Sequence, residues 1–397
     1  MGEHPSTSPL RGYAQGERSI PGSLVSTNTP HGRLLQTDRL HAATARHGRI
    51  ALKDARTVAG PTLARIALDA SLHGVDASRL LLVDTETTGL HHGAGTLPFL
   101  IGLAWYEGDT LVVRQLFLGR PGEEPPMLRM LAELLERASL LVTFNGKSFD
   151  WPLLRTRLVM NRIKPPPMPP HLDLLHCSRR LFKRRLGGTR LQDLERHVLG
   201  FHRHDDIEGA QIPEVYFEWL RRGVTTRLER VLEHNVRDVV SMAAVLAELA
   251  RLVETVSVDD AAEDCLSLAE LTVRAKDLVQ AESLALLAAQ RAAETLTAFD
   301  AWCLAARCAS QRKDWAAAAQ RLSSALELTG IARERRARAH LAFSRVLEHR
   351  LKQYELALRH AELGAGAESV DDCTRRKARL SARLVNADRE AISPHFL

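Results

Sequence analysis

Disulfide frameworks and zinc ribbons have no footing in this 397-residue chain. Its five cysteines (Cys177, Cys265, Cys303, Cys308 and Cys373) are odd in number, scattered and without a CxxC pair. That usage is expected of free thiols in a reducing compartment. No apolar run approaches the roughly 18 residues that span a bilayer, and the N-terminus has no hydrophobic signal core. A cytoplasmic protein without a membrane partner is therefore expected. Charge of one sign is also scarce in excess: 54 Lys and Arg stand against 48 Asp and Glu, for a net charge of +6 and a pI near 9.2. Such a balance permits a polyanionic partner without requiring one. With 45% hydrophobic and 26% charged residues the composition is globular, and the length calls for two or three domains.

Four segments differ in pattern. Residues 1–38 are rich in Ser, Thr, Pro, Gly and Arg and read as a flexible tail. Residues 39–78 are weakly patterned, with one short helix at "TLARIALDASL", and are expected to pack on the adjoining domain. From 79 to 256 the apolar strand "LLLVDTE" is followed by "LPFLIGLAWYEGDTLVVRQLFLG", two strands joined at Glu107-Gly108-Asp109. A helix over 126–137, the strand "LLVTF", a helix over 149–161, a proline-rich connection and the short strand "HLDLL" come next. A hairpin followed by alternating strands and helices indicates an α/β domain with a mixed sheet. Residues 257–397 lose all strand signal and become rich in Ala and Leu. There "KDLVQAESLALLAA", "KDWAAAAQRLSSAL" and "KQYELALRHAEL" place Leu278, Trp315 and Tyr354 at equivalent points, 37 and 39 residues apart. This is the pattern of stacked helical hairpins of tetratricopeptide type, with an irregular bundle as the alternative.

Chemistry concentrates in four carboxylates. Asp84 and Glu86 end the apolar strand two residues apart, so both project to one side. Buried charge needs a compensating partner, and a metal ion supplies one. Asp150 stands where a strand leads into a helix, the usual building place of an α/β site. Asp238 follows His234 by four residues, which on a helix puts imidazole and carboxylate on one face. Hard oxygen ligands at one point attract Mg²⁺ or Mn²⁺, and two such ions suit in-line attack on a phosphodiester. Asp84, Glu86, Asp150 and Asp238 are thus the expected ligands, with His234 placed to take a proton from attacking water. Asp173 in "HLDLLH" is a further candidate, more naturally a support for nearby backbone.

Phosphate contacts are expected from Thr87 beside the first acids, from Asn145 and Lys147 in "TFNGKSFD", and from Arg179, Arg180, Lys183, Arg184 and Arg185 in "SRRLFKRRLGGTR". No base-reading aromatic signature accompanies them, so the grip is expected on phosphates and stacked single-stranded ends.

"DTETTGL", "TFNGKSFDWPLL" and "EHNVRDVVSM", in this order, resemble the three exonuclease motifs of the DEDD group in the RNase H-like superfamily. The second is similar to that of family B DNA polymerase proofreading domains. The stretch from about Gly32 to Glu254 is similar to bacterial YprB-type RNase H-like proteins. The resemblance implies a five-stranded mixed sheet flanked by helices and two-metal 3′-to-5′ hydrolysis, with Asp84, Glu86, Asp150 and Asp238 on the four acid positions. One departure concerns the base. The family's subgroups carry Tyr-x3-Asp or His-x4-Asp, whereas His234 precedes Asp238 by three intervening residues and occupies the Tyr position. The expectation is a metal-dependent exonuclease on single-stranded DNA or RNA. A nucleic-acid-binding adaptor that recruits a protein through the repeats, or an endonuclease on the same fold, is the alternative.

Overall fold

A computed structural model of the chain describes residues 20–42, 44–89, 95–223 and 226–392, with side chains to residue 386. These divide into two compact units. One holds the described residues up to Arg179 together with those of Gly188–Glu254; the other holds Arg180–Gly187 and the described residues after Glu254.

The first unit is built on a seven-stranded mixed sheet. Its strands are β1 (Val25–Thr29), β2 (Gly32–Ala42), β3 (Leu80–Thr87), β4 (Pro98–Glu107), β5 (Thr110–Phe117), β6 (Leu140–Thr143) and β7 (His171–Asp173). Across the sheet they run β1-β2-β5-β4-β3-β6-β7, antiparallel from β1 to β3 and parallel from β3 to β7. The β4–β5 hairpin turns at Gly108-Asp109, with Gly108 at φ +55° where a side chain would strain.

Two expectations change here. The sheet has two strands more than the expected five: β1 and most of β2 come from the stretch expected to be a flexible tail, and the end of β2 from the segment expected to pack on the adjoining domain. β1 and β2 turn at Pro30-His31, where the Thr29 hydroxyl donates to the Gly32 carbonyl at 2.7 Å. β2 then pairs with β5 from Leu35 opposite Phe117 to Ala42 opposite Thr110. Leu34 and Leu35 are buried, so apolar burial and a long ladder order a segment of tail-like composition. The rest of that expected tail, residues 1–19, lies outside the described residues.

Helices α1 (Gly60–Ala67), α2 (Pro125–Arg137), α3 (Asp150–Met160), α5 (Ile212–Arg222) and α6 (Thr226–Glu254) belong to this unit, while α4 (Leu174–Leu186) passes from one unit into the other. Leu81, Val83, Phe99 and Ile101 of the sheet share a core with Leu131, Leu158 and Trp219. Phe99 stacks on Tyr216 with ring centres 4.2 Å apart. A two-stranded hairpin, Arg46–His47 with Ile50–Ala51, docks where the Arg49 N–H donates to the Leu199 carbonyl at 2.8 Å.

The second unit is all-helical: α7 (Ala262–Arg274), α8 (Leu278–Arg291), α9 (Thr295–Gln311), α10 (Trp315–Glu327), α11 (Arg333–Val346), α12 (Tyr354–Leu363) and α13 (Val370–Ile392). Its repeat is written in the turns. Lys276, Lys313 and Lys352 all adopt left-handed φ, near +65°, +64° and +58°, two residues before Leu278, Trp315 and Tyr354 open their helices. Asp277 and Asp314 then cap, accepting from the N–H groups of Gln280 and Ala317. Arg184 pairs here with Glu270 at 2.9 Å and Asp300 at 3.3 Å, and Arg185 with Asp264 at 2.8 Å. No helix among the described residues is long and apolar enough to cross a membrane.

The helix that delivers Asp150 is anchored by charge. Arg157 of α3 meets Glu124, just before α2, in a two-pronged ion pair, its Nε donating to Oε1 at 2.7 Å; Glu124 is 1% exposed. Breaking a buried pair leaves an uncompensated charge. Glu124→Gln is expected to lower unfolding free energy by roughly 3 kcal/mol, read from the denaturant midpoint at unchanged slope.

Candidate metal centre

Pleating puts Asp84 and Glu86 on one side at the end of β3, beside a register shift at Glu86/Thr87. The strand is buried through Val83 and half-buried from Asp84 onward, so apolar anchoring gives way to an open acidic end. Thr85 between them donates its hydroxyl to Asp150 Oδ1 at 2.5 Å, which ties β3 to the start of α3.

Asp150 itself is delivered by a tight turn. β6 ends at Thr143, Asn145 takes a left-handed φ of +68°, and Gly146 lies so close that a Cβ would stand 2.5 Å from the Thr143 side chain. Asp173, at the end of β7, pins this turn. It accepts the N–H groups of Asn145 at 2.8 Å, Lys147 at 3.1 Å and Leu175 at 3.1 Å. A carboxylate with three backbone donors supports the main chain, the second of the two roles weighed for it.

α6 brings the last pair. Asn235, fully buried, donates Nδ2 to Asp84 Oδ2 at 2.8 Å and accepts from Gln115 Nε2 at 2.8 Å. Gln115 also donates to the Leu232 carbonyl at 2.8 Å. Asp84, Gly102 and Gln115 are neighbours across β3, β4 and β5, and a Cβ on Gly102 would lie 2.3 Å from Asn235 Oδ1. The missing side chain at Gly102 is the seat of the Asn235 amide.

So fixed, α6 presents His234 and Asp238. One oxygen each of Glu86 and Asp238 and one nitrogen of His234 lie within 4.8 Å of one another. His234 Nδ1 sits 2.8 Å from Asp206 Oδ1 and its Nε2 3.5 Å from Asp238 Oδ2. Arg203, buried, reaches Asp238 Oδ1, Asp206 Oδ2 at 2.9 Å and Glu195 through two bonds, with Nη1 also 3.3 Å from His234 Nδ1. Ser241 donates to the same Glu195 and meets His47 Nε2 at 2.8 Å.

The charges decide what this arrangement accepts. Burial, then the negative charges of Asp238 and Asp150, push Asp84 well above the usual carboxylate range, against the Asn235 bond and the Arg203 charge. Glu86 is raised likewise by burial and by Asp84, Asp238 and Asp150. Asp150 is pushed up to about 6 by burial, against the Thr85 bond. Asp206 is the contrast: burial opposes ionisation, yet the bonds and charges of His234 and Arg203 hold it low. Crowded acids that repel one another, with oxygen donors facing inward, fit a divalent cation.

The remaining expected contacts separate. Thr87 donates to the Gly89 carbonyl at 2.8 Å and shapes the strand end. Lys147, Arg179 and Lys183 are exposed and Arg180 partly so, whereas Arg184 and Arg185 are held by acids of the helical unit. Both guanidinium groups are thus shared with carboxylates rather than standing alone. Asn235, Gln115, Gly102, Arg203, Glu195 and Asp206 were not singled out from the sequence. The cluster "FHRHDDIEG" was the one local signal for Arg203 and Asp206.

Gly102→Ala is expected to cost about 1–3 kcal/mol of stability in a denaturant titration, because the new methyl displaces a fixed amide. Acids raised in the fold bind protons that the unfolded chain has released, so their contribution falls as pH climbs from about 4 through their folded values. In EDTA, the gain in melting temperature of Asp84→Asn over wild type is therefore expected to be larger at pH 7.5 than at pH 5. Taking the difference cancels the opposite contribution of buried His47 and His171, held down to about 4 by desolvation.

The "Uncharacterized protein YprB" of Bacillus subtilis (strain 168) is 37% identical over 183 residues, 46% of this chain and 44% of that protein. The chain thus covers less than half of that relative. A family B DNA polymerase from the hyperthermophilic archaeon Pyrobaculum calidifontis aligns over 59% of this chain and 29% of its own, with 14% identity and a TM-score of 0.36. Residues 81–250 match the family described as the RNase_H superfamily.

Proposed function

We infer that the chain is a metal-dependent nuclease that shortens single-stranded DNA or RNA from the 3′ end. The observation that carries this reading is the convergence of Asp84, Glu86, Asp150 and Asp238 from three separate elements, with burial raising three of them and neighbouring acids of the set adding repulsion at Asp84 and Glu86. A stable fold does not need such a cluster, and a cation relieves it. Asp84, Glu86, Asp150 and Asp238 would hold two divalent ions, Mg²⁺ or Mn²⁺. When bound, such ions stabilise the attacking and leaving oxygens of a phosphodiester.

The chain's own residues do the positioning. Asn235 holds Asp84 by one oxygen and leaves the other toward the site. Thr85 does the same for Asp150. Lys147 is exposed on the turn three residues before Asp150, where a cation would steer a phosphate. Arg179, exposed on α4, is a further contact for the backbone. The helix pairs of the second unit read as tetratricopeptide-like repeats, whose stacked pairs offer a groove to a protein partner.

The test is a 5′-labelled oligonucleotide panel: DNA and RNA, linear and covalently closed, each with Mg²⁺ or Mn²⁺. Progressive shortening of linear single strands, sparing of circles, and loss by at least about a hundredfold in Asp84→Ala are expected. Cleavage of circles would assign an endonuclease instead. Binding without turnover under every condition would assign an adaptor.

A further inference from the structure

His234 is expected as a base, yet its two nitrogens are committed in a way that suits another role. His234 is only 7% exposed. Its Nδ1 lies 2.8 Å from Asp206 Oδ1. A carboxylate at that distance requires the proton on Nδ1, since two acceptors would repel. Arg203 Nη1 is also near Nδ1, at 3.3 Å, but its strong bonds go to Glu195, Asp206 and Asp238. In the neutral imidazole with its proton on Nδ1, Nε2 carries the lone pair and stands toward Asp238.

What it faces is another acceptor. Nε2 stands 3.5 Å from Asp238 Oδ2 and has no hydrogen bond among the described residues. Arg203 already occupies Oδ1 of that carboxylate, so Oδ2 is the oxygen left to share with His234. One oxygen each of Glu86 and Asp238 and one nitrogen of His234 form a set of three donor atoms within 4.8 Å of one another. Two lone pairs facing each other in a buried site are stable with a cation between them. Metal–ligand bonds of about 2.0–2.2 Å put donors on one ion up to about 4.4 Å apart, so this set closes on an ion with small side-chain shifts.

We propose that His234 is a metal ligand through Nε2, together with Asp238 and Glu86, and that Asp206 is the positioning residue that fixes its tautomer. This rests on the metal-binding part of the nuclease reading and does not depend on the substrate. A ligating imidazole whose other N–H goes to a carboxylate is the common arrangement at metal sites. It changes the selectivity of the centre. An all-oxygen set suits Mg²⁺, whereas one imidazole nitrogen tilts preference toward transition ions such as Mn²⁺. Arg203 keeps Asp238 to one available oxygen, which leaves coordination space for the nitrogen.

The experiment loads metal-free full-length protein with one equivalent of Mn²⁺ and reads electron spin-echo modulation. A ¹⁴N coupling from directly bound imidazole is expected in wild type, lost in His234→Gln, with Mn²⁺ affinity reduced at least tenfold and Mg²⁺ affinity changed much less. Asp206→Asn is expected to keep the coupling and weaken Mn²⁺ by about 10–100-fold. Mn²⁺ bound in wild type without ¹⁴N coupling overturns the proposal while leaving the carboxylate centre standing. No Mn²⁺ binding overturns both. A bound, nitrogen-coupled Mn²⁺ in a protein that cleaves nothing supports the ligand and rejects the nuclease. The wild-type spectrum needs no variant, so misfolding of His234→Gln does not blunt the test.

Discussion

One side-chain amide holds this site in register. Asn235 reaches from α6 to Asp84 on β3 and takes its own bond from Gln115 on β5, seated over the bare backbone of Gly102 on β4. Three strands and a helix are thereby fixed by two bonds and one missing methyl. Turning α6 by a single residue would swing its side chains about 100°, enough to carry His234 and Asp238 away from the acids of β3. A hydrophobic face alone tolerates such slippage far better than an amide whose donor and acceptor are both committed.

Charge compensation around this frame is unequal. Arg203 answers Glu195, Asp206 and Asp238 and is itself held more firmly protonated by them. Its charge reaches Asp84 but is outweighed by burial and by two other carboxylates. On one side of the cluster Arg203 answers one oxygen of Asp238 within the protein. The other side, Asp84 with Glu86 and Asp150, is left with surplus negative charge, and that asymmetry says where an incoming cation gains most.

Much of this was legible in the sequence where the signal is local. Asp84 and Glu86 end an apolar strand, Gly108 marks a hairpin, and Leu278, Trp315 and Tyr354 recur at a helical-pair interval. The mixed sheet and the helical second unit are implied by such patterns. The misses share one cause: a partner far along the chain. Arg184 and Arg185 looked like free cations because their acids lie some 80 to 116 residues later. β2 looked like a tail because its ladder partner, β5, begins at Thr110, and β1 is ordered only by pairing with β2. Asn235 in a helix and Gln115 in a strand carry no periodicity that announces a bond between them.

The grouping of residues 180–187 with the helices beyond Glu254 has a consequence for the chain as a heritable object. The two units are interleaved in sequence, since one helix enters the second unit and the chain then returns to the first. Recombination or truncation at the composition change near 256 would therefore not excise a self-sufficient module. It would strip Arg184 and Arg185 of Asp264, Glu270 and Asp300, leaving a cationic helix end with nothing to neutralise it.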